Sequence, residues 1–120
     1  MDGMPARLWV YRARPVRAVD GDTVDVVIDQ GMHTQRLERL RLFGINCPEV
    51  HGETRPAGLA ASAYTTGWLA EAGTDAWPLV LQTARSDVFG RWLAIVWRAS
   101  DQRSLNDDLV AAGHAVAFLP

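Results

Sequence analysis

Arg41-Leu42-Phe43-Gly44-Ile45-Asn46-Cys47-Pro48-Glu49 is the stretch that decides how this 120-residue chain is read. Leu40 and Leu42 share one face of a strand by its period of two, and Arg41 points away from them, outside a barrel interior and within reach of a substrate. The strand then runs into a proline-containing loop that carries an amide and a carboxylate. Two other segments bring groups of the same chemistry, Asp20-Gly21-Asp22-Thr23 upstream and Gly90-Arg91 downstream. Carboxylates and neutral oxygens suit a hard cation such as Ca²⁺, and planar guanidinium forks suit a phosphate. Together they point to metal-assisted cleavage of a phosphodiester.

Upstream of this stretch, residues 8 to 19 are β-prone but interrupted by Pro15, which fits an edge or a bulge. Asp20-Gly21 is a hairpin turn. Val24, Val26 and Ile28 then alternate with Asp25 and Asp29, the pattern of a half-buried strand, and Asp22 shares the valines' parity and belongs at the rim of their core. After Gln30-Gly31 the chain returns from Thr34 to Phe43. Leu37 has the opposite parity to Leu40 and Leu42, so a bulge or twist is expected between them. Three strands joined by tight turns read as a curled antiparallel meander.

Downstream, residues 44 to 55 read as a loop without regular structure, a kind that is often functional. A helix is expected from Pro56 to Ala72, with Leu59, Ala63, Thr66 and Ala70 at helical spacing and Gly73 as its stop. Leu79 to Thr83 and Trp92 to Trp97 are two further strands separated by a polar turn. Ser104 caps a short helix with Leu105 and Leu109 as its buried pair, Gly113 ends it, and Ala115 to Leu119 is extended. Five strands, with a helix after the third and another after the fifth, predict a β-rich α+β fold: a five-stranded Greek-key barrel of the OB type with two helices.

Length fits one domain, residues 1 to 120. The 48% hydrophobic and 22% charged shares are those of a globular protein, and no apolar run approaches a bilayer span, so no membrane association is expected. Residues 1 to 7 lack the pattern of a secretory signal, which points to a cytoplasmic protein, and a monomer is expected. Cys47 is the single cysteine, so no intrachain disulfide forms, and His33, His51 and His114 have no zinc spacing. The net charge of −2 excludes a strongly basic polyanion binder, so phosphate affinity must be local.

Taken singly, each motif is an ordinary turn. Their order carries more. Asp-Gly-Asp-Thr, then Arg-Leu-x-Gly-Ile-Asn-x-Pro-Glu, then Asp-x-x-Gly-Arg, followed by Ser104-Leu105-Asn106 to Ala111-Ala112-Gly113, resembles the staphylococcal nuclease (thermonuclease) family over about residues 10 to 119. The resemblance implies an OB-barrel nuclease that uses one Ca²⁺ to hydrolyse DNA or RNA and leaves 3′-phosphate ends. It assigns Asp22 as a metal carboxylate, the Cys47 backbone carbonyl as a second ligand, and Glu49 as general base or water-orienting group. Arg41 and Arg91 would bind the scissile phosphate and stabilise the charge that builds up on it. A carboxylate beside a cation is a weak base, so orienting the water is expected to matter more than taking its proton.

The chain departs from the family's best-known pattern at Asn46, where that pattern has a second metal-binding aspartate. An amide oxygen still coordinates Ca²⁺ but without charge, and weaker metal binding is expected. Val88 and Phe89 replace a lysine and a tyrosine that contact nucleotide phosphate, leaving Phe89 able to stack on a base. The chain stops at Pro120, before the family's third helix. His51 and Glu53 read as solvated loop residues, and Trp9, Trp68, Trp77, Trp92 and Trp97 mostly as packing. Cys47 reads as a neutral loop residue. The competing function is a non-catalytic OB module that binds single-stranded nucleic acid or a protein, with Asn46 as the mark of a decayed metal site.

Overall fold

The computed structural model describes residues 9–118. Leu8 and Leu119, expected ends of the first and last extended segments, lie outside the described residues, as do residues 1–7 and Pro120. The elements in chain order are β1 (Trp9–Asp20), β2 (Thr23–Asp29), β3 (Gln35–Leu42), β4 (Ile45–Asn46), α1 (Arg55–Ala70), β5 (Leu79–Ser86), β6 (Trp92–Arg98), α2 (Leu105–Ala111) and β7 (Val116–Ala117). Five strands close a barrel in the order β1-β2-β3-β6-β5, with β5 returning to β1, and β4 pairs with β7 in a separate two-stranded ribbon. The β3–β6 pairing is parallel and every other is antiparallel. This is the OB-type α+β barrel with two helices that the strand pattern predicts. No helix among the described residues is long and apolar enough to cross a membrane.

Alternation builds the core. Val24, Val26, Leu40, Leu42, Leu79, Leu81 and Val96 point inward and are buried, and Leu105 and Leu109 of α2 cap one end. Each contributes roughly 1.5–3 kcal/mol by leaving water. β1 runs unbroken through Pro15, and its register against β2 shifts just after that residue, between Pro15 and Arg17. The ladder to β5 ends at Ala13, so the missing proline N–H falls where β1 has one neighbour only.

Two expectations are corrected. The β2–β3 ladder runs without a shift from Asp29↔Gln35 to Thr23↔Arg41, so no bulge separates Leu37 from Leu40. Leu37 instead faces outward opposite Val27, 66% exposed, because the barrel's outer face is uncovered there and one apolar cross-strand pair costs little. Residues 44–55 are more regular than a loop, holding β4 and a 3₁₀ turn at Gly52–Thr54. Helix α1 buries Gly58, Ala61, Thr65, Trp68 and Leu69, whereas Leu59, Ala63, Thr66 and Ala70 face solvent. Its inner face is small in the first half, where Gly58 meets the Pro48–Glu49 backbone and Ala61 meets Gly21, and large at Trp68 and Leu69.

Of the five tryptophans, Trp68 belongs to the core, Trp77 and Trp97 are half-buried, and Trp9 and Trp92 are exposed. Trp68 joins the helices, its Nε1–H donating to Asp108 Oδ2 at 2.9 Å, while the Arg98 guanidinium lies 4.7 Å from the ring centre. Ser104 caps α2 by accepting the Asp107 N–H, as its position predicts.

Candidate active site

The parallel register of β3 and β6 pairs Leu40 with Trp92 and Arg41 with Leu93, which sets Arg91 beside the end of β3. Gly44, at φ +78°, then turns the chain so that β4 starts back across the barrel mouth. A cavity of about 730 Å³ results. It is lined by Asp20 and Asp22 from the first turn, by Arg41 and the loop through Glu49, and by Asp87 and Arg91 from the last turn. Phe43, Phe89, Leu93 and Phe118 form its apolar side. All six residues assigned from the sequence, Asp22, Arg41, Asn46, Cys47, Glu49 and Arg91, line this one space. His51 and Glu53 do not; both are exposed.

Asp22 is buried at the rim, and its Oδ2 accepts the Cys47 N–H at 2.9 Å, which ties the first turn to the Pro48 loop. Burial first, then the neighbouring Asp20 carboxyl, push the Asp22 carboxyl up from its ordinary value, and the Cys47 N–H and Arg41 pull it only part of the way back. Its charge is therefore undercompensated. Burial also pushes the Cys47 thiol up to about 12, and the Asp22 charge adds to that, so the thiol is no nucleophile at neutral pH.

Arg41 faces the cavity as its parity requires, yet its side chain is 14% exposed. Nη1 donates to the Leu42 carbonyl at 3.0 Å, makes a long contact to the Asp22 carbonyl at 3.5 Å, and lies 3.4 Å from Asp22 Oδ2. Nη2 donates to the Ile45 carbonyl at 3.1 Å and to Asn46 Oδ1 at 3.1 Å. The expectation of an arginine open to substrate is corrected here, because the Leu42 and Ile45 carbonyls and the Asn46 side chain wrap the guanidinium. Arg91 is more available, with its side chain 28% exposed. Asp87 holds it, accepting from Arg91 Nε at 3.0 Å with Nη2 at 2.7 Å, while Nη1 reaches Thr23 Oγ1 at 3.4 Å. Burial would raise the Asp87 carboxyl, but hydrogen bonds from the Arg91 backbone and side chain and from the Phe89 N–H outweigh it and hold it below its ordinary value. The Glu49 carboxylate is exposed and has no hydrogen-bond partner among the described residues.

Several positioning residues escaped the sequence reading. Thr65 Oγ1 donates to the Gly21 carbonyl at 2.7 Å and Ala61 lies against Gly21, so α1 holds the first turn. Gly58 lies against the Pro48 and Glu49 backbone, so the same helix holds the loop. Thr54 Oγ1 donates to the Glu49 carbonyl at 2.8 Å. Buried Asn106 donates from Nδ2 to the Phe43 carbonyl at 2.9 Å and accepts the Val96 N–H at 3.1 Å, fixing the end of β3 to β6. The small residues at 58, 61 and 65, spaced three and four apart, were the available signal for the helix contact.

Four carboxylates and two guanidinium groups line the cavity, a formal excess of two negative charges. That excess, beside an undercompensated Asp22 and the neutral oxygens of Asn46 and Cys47, fits one divalent cation of the hard, oxygen-seeking kind. Among the described residues no three His, Cys, Asp or Glu side chains form a preassembled metal cluster, so such an ion would depend on amide, carbonyl and water oxygens as well. No curated protein matches the chain. Residues 39–119, more than half of the sequence, match the sequence model of the staphylococcal nuclease homologue family. With the closed barrel and the clustered motifs in place, the chain belongs to the staphylococcal nuclease homologue family.

Proposed function

We propose that the chain is a single nuclease-like domain that hydrolyses phosphodiester bonds of DNA or RNA with the help of one Ca²⁺. One observation carries the reading: the cavity gathers Asp22, Arg41, Glu49 and Arg91 and has two more negative than positive charges. Asp22, the Asn46 amide oxygen and the Cys47 carbonyl would hold the ion, a set with one charge and two neutral oxygens that suits flexible Ca²⁺ coordination better than Mg²⁺. A bound Ca²⁺ would polarise a phosphoryl oxygen.

The chain's own residues do the rest. Glu49, exposed at the mouth, orients a water whose oxygen adds to phosphorus while the bond to the 5′ oxygen of the next nucleotide breaks, leaving a 3′-phosphate. Arg91, held in place by Asp87, presents its remaining N–H groups to the phosphate and stabilises the extra negative charge of the transition state. Phe89, exposed and lying 5.2 Å from the Arg91 guanidinium, offers a base a face on which to stack.

A second reading, an OB module that binds single-stranded nucleic acid without cutting it, is favoured by the uncharged Asn46 and by an Arg41 whose Nη groups are engaged within the chain. Cleavage of single-stranded DNA and of RNA over a Ca²⁺ titration separates the two, with chelator and Glu49→Gln as controls. The nuclease reading expects cleavage that rises with Ca²⁺ and is lost in both controls. Retained binding with no cleavage at millimolar Ca²⁺ would replace it with the binding module.

A further inference from the structure

Arg41 is more heavily engaged than a phosphate ligand waiting for substrate. Two of the oxygens around its guanidinium, Asp22 Oδ2 and Asn46 Oδ1, are the side-chain oxygens that the proposed function gives to the cation. We propose that Arg41 and a divalent cation are alternative occupants of these two oxygens, so that Arg41 is latched in the cation-free chain and released when the cation binds.

The geometry gives the reason for exclusion. Nη1 lies 3.4 Å from Asp22 Oδ2 and Nη2 lies 3.1 Å from Asn46 Oδ1, so the guanidinium spans both. A hard cation takes such oxygens at about 2.3–2.6 Å. Two positive groups sharing these oxygens, one on buried Asp22 and one on exposed Asn46, repel each other. Release need not unfold the loop. The bonds from Nη1 to Leu42 and from Nη2 to Ile45 use other oxygens and keep the stem where it is. What changes is that Nη2 loses Asn46 Oδ1 and Nη1 loses its ion-pair contact with Asp22 Oδ2, so the planar fork, kept in direction by Leu42 and Ile45, has N–H groups available to the cavity it lines. A pair of that kind is the fork that takes two oxygens of a phosphate.

Phosphate capture by Arg41 is thereby conditional on the cation, and by linkage a phosphate held at Arg41 tightens cation binding by the same factor. Asn46 sets the strength of the latch. Its neutral amide holds either occupant more weakly than a carboxylate would, which keeps the exchange reversible.

The inference rests on the Ca²⁺ reading above, and its test measures binding of Ca²⁺ alone. Calorimetric titration of the full chain compares wild type with Arg41→Gln and Arg41→Lys. Lysine keeps the charge, but a single ammonium does not span both oxygens. The latch expects Ca²⁺ affinity to rise about tenfold or more in both variants, within the ordinary range of coupling between sites. A rise in Arg41→Gln alone, with Arg41→Lys equal to wild type, overturns it and leaves only through-space repulsion. A measurement on the wild type stands apart from the folding of either variant. Solvent exchange of the Arg41 guanidinium protons, followed by ¹⁵N NMR, should quicken as Ca²⁺ is added, and an unchanged rate in Ca²⁺-bound protein overturns the latch. Ca²⁺ binding by the variants but not by wild type would uphold the latch and sink Ca²⁺-dependent activity. No binding by any of the three would sink both.

Discussion

Gly58→Ala sets helix propensity against packing, and the loop beneath the helix decides which wins. In an open helix the change stabilises by up to about 1 kcal/mol. At position 58 the added Cβ would sit 2.5 Å from the Glu49 carbonyl oxygen, 2.7 Å from its carbon and 2.9 Å from the Pro48 oxygen. Ordinary contact begins near 3.4 Å, so helix and loop must separate by about 0.9 Å, and the obstructing atoms are backbone that no rotamer change can move aside. Overpacking of this kind costs about 1–3 kcal/mol, and backbone obstruction belongs at the upper end, leaving a net loss of about 1–2 kcal/mol. For a domain of this size that is a fall in Tm of roughly 4–10 °C. Gly67 in the same helix is the internal control, since a Cβ there meets nothing within 4 Å. Gly67→Ala should raise Tm by up to about 4 °C. Thermal unfolding by circular dichroism reads both. The displaced loop carries Glu49, and a shift near 1 Å at a reacting group costs about 10²-fold in rate, so cleavage by Gly58→Ala should fall further than its stability. If Gly58→Ala melts at or above Gly67→Ala, helix α1 does not hold the loop by contact.

Other outcomes are open to direct measurement. Arg91→Ala should lower cleavage by about two to three orders of magnitude, while loss of the partly buried pair with Asp87 costs on the order of 1 kcal/mol; cleavage near wild type would remove Arg91 from the mechanism. Asn46→Asp should tighten Ca²⁺ binding by adding a charged ligand, and an unchanged or weakened titration would take residue 46 out of the coordination shell. Cys47, buried and with its thiol pushed up to about 12, should resist a disulfide-exchange reagent at pH 8 in the folded chain and react at once in denaturant. Asp25 is held below its ordinary value first by the Arg39 hydrogen bond and also by Arg17, and Asp101 first by Arg98. Such depressed groups stabilise the fold fully above the unfolded value near about 3.9 and lose that contribution as pH falls through the folded value. Asp25→Asn should therefore destabilise at pH 6 and narrow the gap to wild type toward pH 2.5, as read by denaturant unfolding at each pH.

Much of the fold was legible because a period of two and a few turn residues leave little freedom: Val24, Val26 and Ile28 point inward, Asp20-Gly21 turns, and Ser104 caps. The candidate site residues were legible as motifs, and residues from the three loop motifs line one cavity. The family match begins at residue 39, so Asp22 lies outside it; the register of β2 on β3 and the Cys47 N–H bring it in. Leu37 misled because parity was assumed to point to one buried face, while the outer face of β2 and β3 tolerates Val27 and Leu37 side by side. The buried face of α1 was missed because glycine, alanine and threonine carry little apolar area and do not read as a contact surface, although that is what lets the helix approach the loops. Arg41 was read by strand parity, which aims a side chain but does not reveal where the following loop will put its carbonyls.

Barrel closure has a consequence for how the protein comes into being. The β1–β5 ladder joins Trp9 to Thr83, and β3 meets β6 with Leu40 beside Trp92, so the seams that complete the cylinder link residues far apart along the chain. Pairings of such separation form late, after local hairpins like β1–β2 and β2–β3. Arg91 sits at the start of β6, on the far side of that last event from Asp22 and Arg41. An incompletely folded or still-emerging chain thus carries the candidate residues of the meander without the guanidinium beside them, and the arrangement of Asp22, Arg41 and Arg91 around one cavity exists only in the finished barrel.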